Sequence, residues 1–213
     1  MRRARPRGNS ACPYVTRGGL KLEFALREWA IDVAGLVAAD FGCHRGGFTD
    51  CLLHHGARKV YAVDTAHGLL DWSLRKDPRV VVVERTNLIH WRAPEPLDIV
   101  VIDAGWTPQI LSVSAACRSL RSDGLILSLM KPQYEVDRRR LRRGVLPEEC
   151  IGDVMESLLR RLREVVVVEA HLPSPIPGSG GNREIWLRLK PQPGASREDR
   201  EGPEKHAPSE ARQ

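Results

Sequence analysis

A chain of 213 residues, 42% hydrophobic and 28% charged, can bury one substantial core but is too short for two ordinary domains. Thirty-three Lys and Arg outweigh 27 Asp and Glu to give +6, and five cysteines without a CxxC pair argue for reduced thiols rather than disulfides or a metal site. No apolar run approaches the roughly 18 residues of a membrane span, and no apolar core follows the basic start MRRARPRGNS, so the expectation is a cytoplasmic protein without membrane contact.

Residues 1–13 are basic and contain Pro and Gly, and are expected to form a disordered tail. The first strand is VAADF (37–41), followed by a helical pattern over 47–55. KVYAVD (59–64) and a helix over 67–76 come next, then two strands, RVVVVER (79–85) and LDIVVIDA (97–104). A helix over 107–121 leads to GLILSLM (124–130). The helix over 147–163 is the clearest, with Pro147 and two glutamates at its start and arginines near its end. VVVVEAHL (165–172) and EIWLRLK (184–190) complete seven strands, and the polar segment 191–213 is expected to be a second disordered tail. Alternating strands and helices predict an α/β fold, a mostly parallel sheet with helices on both faces. Only the Pro/Gly loop PSPIPGSGGN joins the last two strands, so they are expected to pair antiparallel at one edge.

The turn after the first strand, DFGCHRGGFTD (40–50), lies where a doubly wound sheet binds ligands. Gly42, Gly46 and Gly47 let the backbone bend sharply and approach a ligand. A bare strand-to-helix connection needs the same glycines, so the turn alone leaves connector and binding site both open. Asp64 ends the second strand, where a carboxylate can accept the hydroxyl protons of a ribose, and Asp40 can meet a cationic group. Neither GxxxxGK[ST] nor GxGxxG is present, which disfavours a P-loop and weakens a dinucleotide site. A nucleoside with a positive tail, such as S-adenosylmethionine, suits an acidic, glycine-rich pocket.

Six segments in order, YVTRGGLKLEFAL, DFGCHRGGFTDCLL, KVYAVDTAHGLLDWSLRKDPRVVVVERTN, DIVVIDAGW, LMKPQYE and GNREIWLRL, resemble the hemolysin A-type (TlyA) ribosomal RNA methyltransferases, relatives of the FtsJ ribose 2′-O-methyltransferases. The resemblance covers residues 14–190. It implies a Rossmann-like methyltransferase domain that binds S-adenosyl-L-methionine, with Asp40, Gly42, Gly46, Gly47, Phe48, Asp64, Asn87 and Asp103 at the cofactor. It also implies a catalytic tetrad of Lys21, Asp103, Lys131 and Glu184 acting on a ribose 2′-hydroxyl.

A 2′-hydroxyl is a poor nucleophile until its proton is drawn away, a task for neutral Lys131, with Lys21 as the neighbouring cation that disfavours the charged form. Asp103 would position that lysine, and Glu184 would orient it or bind the ribose. The sequence also departs from the family pattern. Only about thirteen residues precede YVTRGG, too few for the RNA-binding S4 domain that many relatives carry. His44 and Arg45 put bulk and charge in the cofactor turn, and Trp106 replaces a Phe beside Asp103. The expected partner is RNA, ribosomal RNA or a ribosomal subunit, with backbone contacts from Arg17, Arg139, Arg140 and Arg142. The alternative is a catalytically weak RNA-binding or ribosome-assembly factor on the same fold. A membrane pore is disfavoured by the absence of an apolar span.

Overall fold

The protein is described by a computed structural model covering residues 12–178 and 180–193. Of the tails expected at 1–13 and 191–213, residues 1–11 and 194–213 lie outside the described residues, whereas Pro191 ends the last strand of the sheet. Five strands, β1 (Val37–Phe41), β2 (Lys59–Val63), β3 (Val80–Val83), β4 (Leu97–Ile102) and β5 (Leu120–Met130), run parallel. Their continuous apolar runs follow from burial on both faces, since a strand covered by helices above and below has no polar side to show water. The full order is β3-β2-β1-β4-β5-β7-β6, with β6 at Val166–Pro173 and β7 at Ile185–Pro191.

The expected antiparallel edge is the β6–β7 pair, but β7 does not stand outermost. It slots between β5 and β6 and runs against both. This insertion matters for the site, because the start of a reversed strand lies at the same edge of the sheet as the ends of the parallel ones.

Successive strand residues point to opposite faces, and two apolar cores result. Ile99, Val101, Leu127, Leu129 and Trp186 pack under α1 (Gly18–Glu28), α2 (Gly47–His54) and Leu74 of α3 (Trp72–Arg75). Val100, Ile102, Ile126, Met130 and Leu187 pack under α4 (Gln109–Ser119) and α5 (Ile151–Leu162).

Helix α1 is an element the sequence pattern does not announce, because it opens on Gly18-Gly19, poor helix formers. Space explains the second glycine: a Cβ there would lie 2.3 Å from the Tyr14 ring. The helix expected over 67–76 shrinks to α3. Gly68 takes a left-handed φ of 76°, and the Asp71 side chain then caps the helix by accepting from Ser73 N at 2.9 Å. The helix expected over 147–163 splits into a short 3₁₀ turn at Glu148–Cys150 and α5.

Trp186 is fully buried and stacks on Phe48 with ring centroids 5.4 Å apart, while its indole N–H has no partner. Trp186→Ala should cost about 3–5 kcal/mol in urea unfolding. Trp186→Phe, which keeps a stacking ring and removes the unpaired donor, should cost clearly less; equal losses would contradict this packing account.

Candidate active site

Two parallel strands, one reversed strand and one helix deliver the four tetrad residues to one edge. Asp103 follows β4, Lys131 follows β5, and Glu184 precedes β7, whose Ile185 pairs with Met130 of β5. Lys21 comes from the first turn of α1. The four side chains form two ion pairs. The Lys21 ammonium bonds Glu184 Oε2, with side-chain exposures of only 7% and 3%. Lys131 Nζ lies 2.7 Å from Asp103 Oδ1 and 3.3 Å from the Asp103 carbonyl oxygen. The expected partition is therefore altered: Lys21 is held by Glu184 rather than set as a bare cation beside Lys131.

All four residues line one open cleft of about 910 Å³. Its mouth carries an aromatic pair, Trp106 and Tyr134, with ring centroids 4.9 Å apart. Trp106 is 72% exposed and sits at φ 65°, in the left-handed region that non-glycine residues avoid. Such strain costs on the order of 1–3 kcal/mol and concentrates at functional sites. Of the arginines in the basic run DRRRLRRG (137–144), Arg138 reaches the cleft and lies over the Trp106 ring at 5.2 Å. The expected Arg139, Arg140 and Arg142 are exposed on the same loop but do not line the cleft, whereas Arg17 does.

Behind the cleft stands a polar scaffold that the sequence reading missed. Gln109 at the start of α4 accepts from the Ser128 hydroxyl at 2.6 Å, and its backbone N–H donates to Glu135 at 2.7 Å, joining the Asp103 and Lys131 loops. Buried Asn182 accepts from Leu146 N at 2.9 Å and donates to the Gly144 carbonyl at 3.0 Å, pinning the arginine loop beside Glu184. The only sequence signal for these residues is a polar side chain amid apolar segments, which surface positions share.

A second, smaller cavity of about 70 Å³ adjoins the cleft and shares Thr16, Gly18, His44, Arg45 and Asp103 with it. Asp40, Gly42, Gly47 and Phe48 line it. Gly42 has φ 81°, and a Cβ there would stand 2.9 Å from the Asp103 carbonyl oxygen, so only glycine lets the turn lie against the Asp103 loop. Gly46 is the left-handed residue before α2. Asp64 and Asn87 lie at their expected strand ends but line neither cavity. Asp64 accepts from His44 N at 2.7 Å and Ala66 N at 2.8 Å, tying the turn after β1 to the end of β2, and Asn87 accepts from Ile89 N at 3.0 Å within its own turn.

Asp40 is fully buried. Its Oδ2 accepts from the Thr49 backbone and hydroxyl at 2.9 and 2.7 Å, but its Oδ1 has no partner. Burial pushes its carboxyl up from 3.8 to about 7, against the Thr49 hydrogen bonds and with help from Asp103 and Asp64. Burial likewise pushes the Cys43 thiol up, aided by the Asp40, Asp64 and Glu84 carboxylates, so a neutral thiol faces the small cavity.

A parallel sheet reversed at its last strands, with a glycine turn after β1 and an acidic residue after β4, defines the Rossmann-like methyltransferase class. A model of the FtsJ-like methyltransferase family matches residues 14–190, and the chain belongs to that family. It is 40% identical over 192 residues to the 16S/23S rRNA (cytidine-2′-O)-methyltransferase TlyA of Mycobacterium tuberculosis, covering 84% of this chain and 69% of that one. A solved hemolysin-related protein of Streptococcus thermophilus superposes with a TM-score of 0.81 at 33% identity, over 87% of this chain and 70% of that one. The N-methyltransferase NodS of Bradyrhizobium japonicum, 14% identical, shares the fold alone, with a TM-score of 0.56 over 82% of this chain and 94% of that one.

An acid with a raised folded-state value stabilises the fold below its unfolded value and loses that contribution as pH rises through about 7. Urea unfolding should therefore show stability falling between about pH 4 and 7, by a term on the order of 4 kcal/mol from Asp40. Asp40→Asn should flatten that slope; an unchanged slope would assign the titration to other groups.

Proposed function

We propose that the protein transfers a methyl group from S-adenosyl-L-methionine to a ribose 2′-hydroxyl of ribosomal RNA, with Lys131 as general base. The observation that carries this reading is the pairing of Lys131 with Asp103 at the junction of the two cavities. The substrate class is supported by the rRNA 2′-O-methyltransferase TlyA, which this chain resembles at 40% identity. Among the described residues no helix is long and apolar enough to cross a membrane.

The residues of the small cavity fit the cofactor. A buried carboxylate oxygen without a partner calls for a cationic or hydrogen-bonding ligand group, and the cofactor's ammonium is one. Asp40 would hold that end, while Gly42, Gly47 and Phe48 would shape the wall. The small cavity is well below the roughly 300–1,000 Å³ of a typical ligand site, so the shared residues must let ligand extend into the cleft. When bound, the cofactor supplies an electrophilic methyl on a cationic sulfur.

The rest falls to the chain. The Lys21–Glu184 pair forms a fixed wall of the cleft, and Trp106 and Tyr134 offer aromatic faces on which a base can stack. Lys131, once it has lost its own proton, accepts the hydroxyl proton at Nζ as the oxygen takes the methyl, and Asp103, 2.7 Å away, holds the ammonium so formed. Most of the rate gain then comes from orientation of oxygen, methyl and base in one site.

Transfer of radiolabelled methyl to free rRNA and to both ribosomal subunits, followed by digestion to nucleosides, tests this. The unaltered protein should yield a 2′-O-methyl nucleoside. Lys131→Ala should lower the rate by about 10²–10⁴-fold while retaining cofactor binding. A base-methylated nucleoside, or a Lys131→Ala rate within a few-fold of the unaltered protein, would overturn the assignment.

A further inference from the structure

The cleft's positive charge is unevenly committed. Five cationic side chains line it, Arg17, Lys21, Arg45, Lys131 and Arg138, against two carboxylates, Asp103 and Glu184. Both carboxylates are spent on the lysines. The three arginines have no carboxylate partner among the described residues, and all three are exposed. They come from separate segments: Arg17 precedes α1, Arg45 lies in the turn after β1, and Arg138 follows β5.

The placement of each is fixed by its surroundings. The Arg45 carbonyl accepts from Asp71 N at 3.2 Å, and the preceding His44 N–H is held by Asp64, which anchors the turn that carries Arg45. Arg138 rests on the Trp106 ring, a contact that orders the guanidinium without neutralising it. Arg17 belongs to the segment immediately before the helix that supplies Lys21. Three uncommitted guanidiniums thus surround the tetrad.

We propose that Arg17, Arg45 and Arg138 form a clamp for consecutive phosphodiesters of the RNA strand that presents its 2′-hydroxyl to Lys131. This rests on the RNA reading above and refines it: it adds Arg45, and among the arginines of segment 137–144 it selects Arg138, the one that lines the cleft. The chemistry fits, because a ribose 2′-hydroxyl adjoins its own 3′-phosphate, and the planar fork of arginine matches phosphate oxygens in pairs. The lysines cannot serve in this way while they hold their carboxylates. Arg45 also borders the smaller cavity, where the competing ligand for it is the carboxylate of the cofactor.

The test measures two affinities of the full chain separately. Anisotropy titrations of a labelled single-stranded RNA across about 50–200 mM salt give the slope of log affinity against log salt, which for single strands changes by about 0.7 per phosphate contact. Calorimetry gives the affinity for S-adenosylmethionine without RNA. Arg17→Ala, Arg45→Ala and Arg138→Ala should each lower the slope by about 0.7, and the triple variant by about 2. Arg45→Lys should restore most of the slope, and cofactor affinity should stay within about two-fold.

Arg58→Ala, an exposed arginine at the opposite, amino end of β2, should leave the slope unchanged. An equal loss from Arg58→Ala would reduce the clamp to bulk charge and overturn it. Weakened cofactor binding by Arg45→Ala with an unchanged RNA slope would assign that arginine to the cofactor carboxylate instead. If the unaltered protein shows no salt-dependent RNA binding, the RNA reading itself fails; if it binds and the three variants keep its slope, the clamp alone fails.

Discussion

The buried ion pair between Lys21 and Glu184 closes the longest loop that matters to the site, joining α1 to the start of β7 across 163 residues of sequence. A pair this secluded is poor value as a source of stability, since desolvating both charges costs about as much as their attraction returns. What it fixes is geometry. Neither charge can leave the other without being stranded in a dry site, so the helix and the reversed strand are held in one relative position, and Lys131 and Asp103 stand on the framework they define.

That framework exists because β7 enters the sheet between β5 and β6. If β7 stood outermost, its start would lie beyond β6 and away from the ends of β4 and β5. Inserted and reversed, it pairs Ile185 with Met130, which sets Glu184 close to Lys131. On the other side, β1 pairs with β4 so that Phe41 lies opposite Ile102, and the Gly42 turn comes against the Asp103 backbone. The Gly42 turn and the Asp103 loop are thus neighbours through strand register rather than through loop design. The polar scaffold of Gln109, Ser128 and Glu135 then locks the loops after β4 and β5 to each other.

The sequence is legible where one local force decides the outcome. Each of the seven strands lies within about two residues of its expected start, except β5, which begins at Leu120 rather than 124, because an apolar run buried on both faces has no competing use. Helix α1 is hidden because its first two residues are chosen for space and not for helicity. The rank of β7 in the sheet is non-local and leaves no mark in its own residues. The tetrad is nameable through family resemblance, yet its division into pairs, Lys21 with Glu184 and Lys131 with Asp103, depends on side-chain directions that only the folded chain sets. Asp64 and Asn87 follow the strands as expected, but their oxygens accept from backbone N–H groups, Asp64 from the turn after β1 and from Ala66, and Asn87 from Ile89. Among the arginines, charge density marks the whole run 137–144 without ranking its members, and the turn of the loop brings 138, rather than the expected 139, 140 and 142, to the cleft.

The measurement that bears most directly on this account is a comparison of Lys21→Met, Glu184→Leu and the double variant, each assayed for unfolding free energy and for methyl transfer. Each single variant strands a buried charge and should lose about 3–5 kcal/mol. The double variant, with apolar side chains of similar volume, should recover most of that stability yet stay inactive, because the pair exists to shape the cleft rather than to hold the fold. A double variant that folds well and transfers methyl at the rate of the unaltered protein would contradict the account.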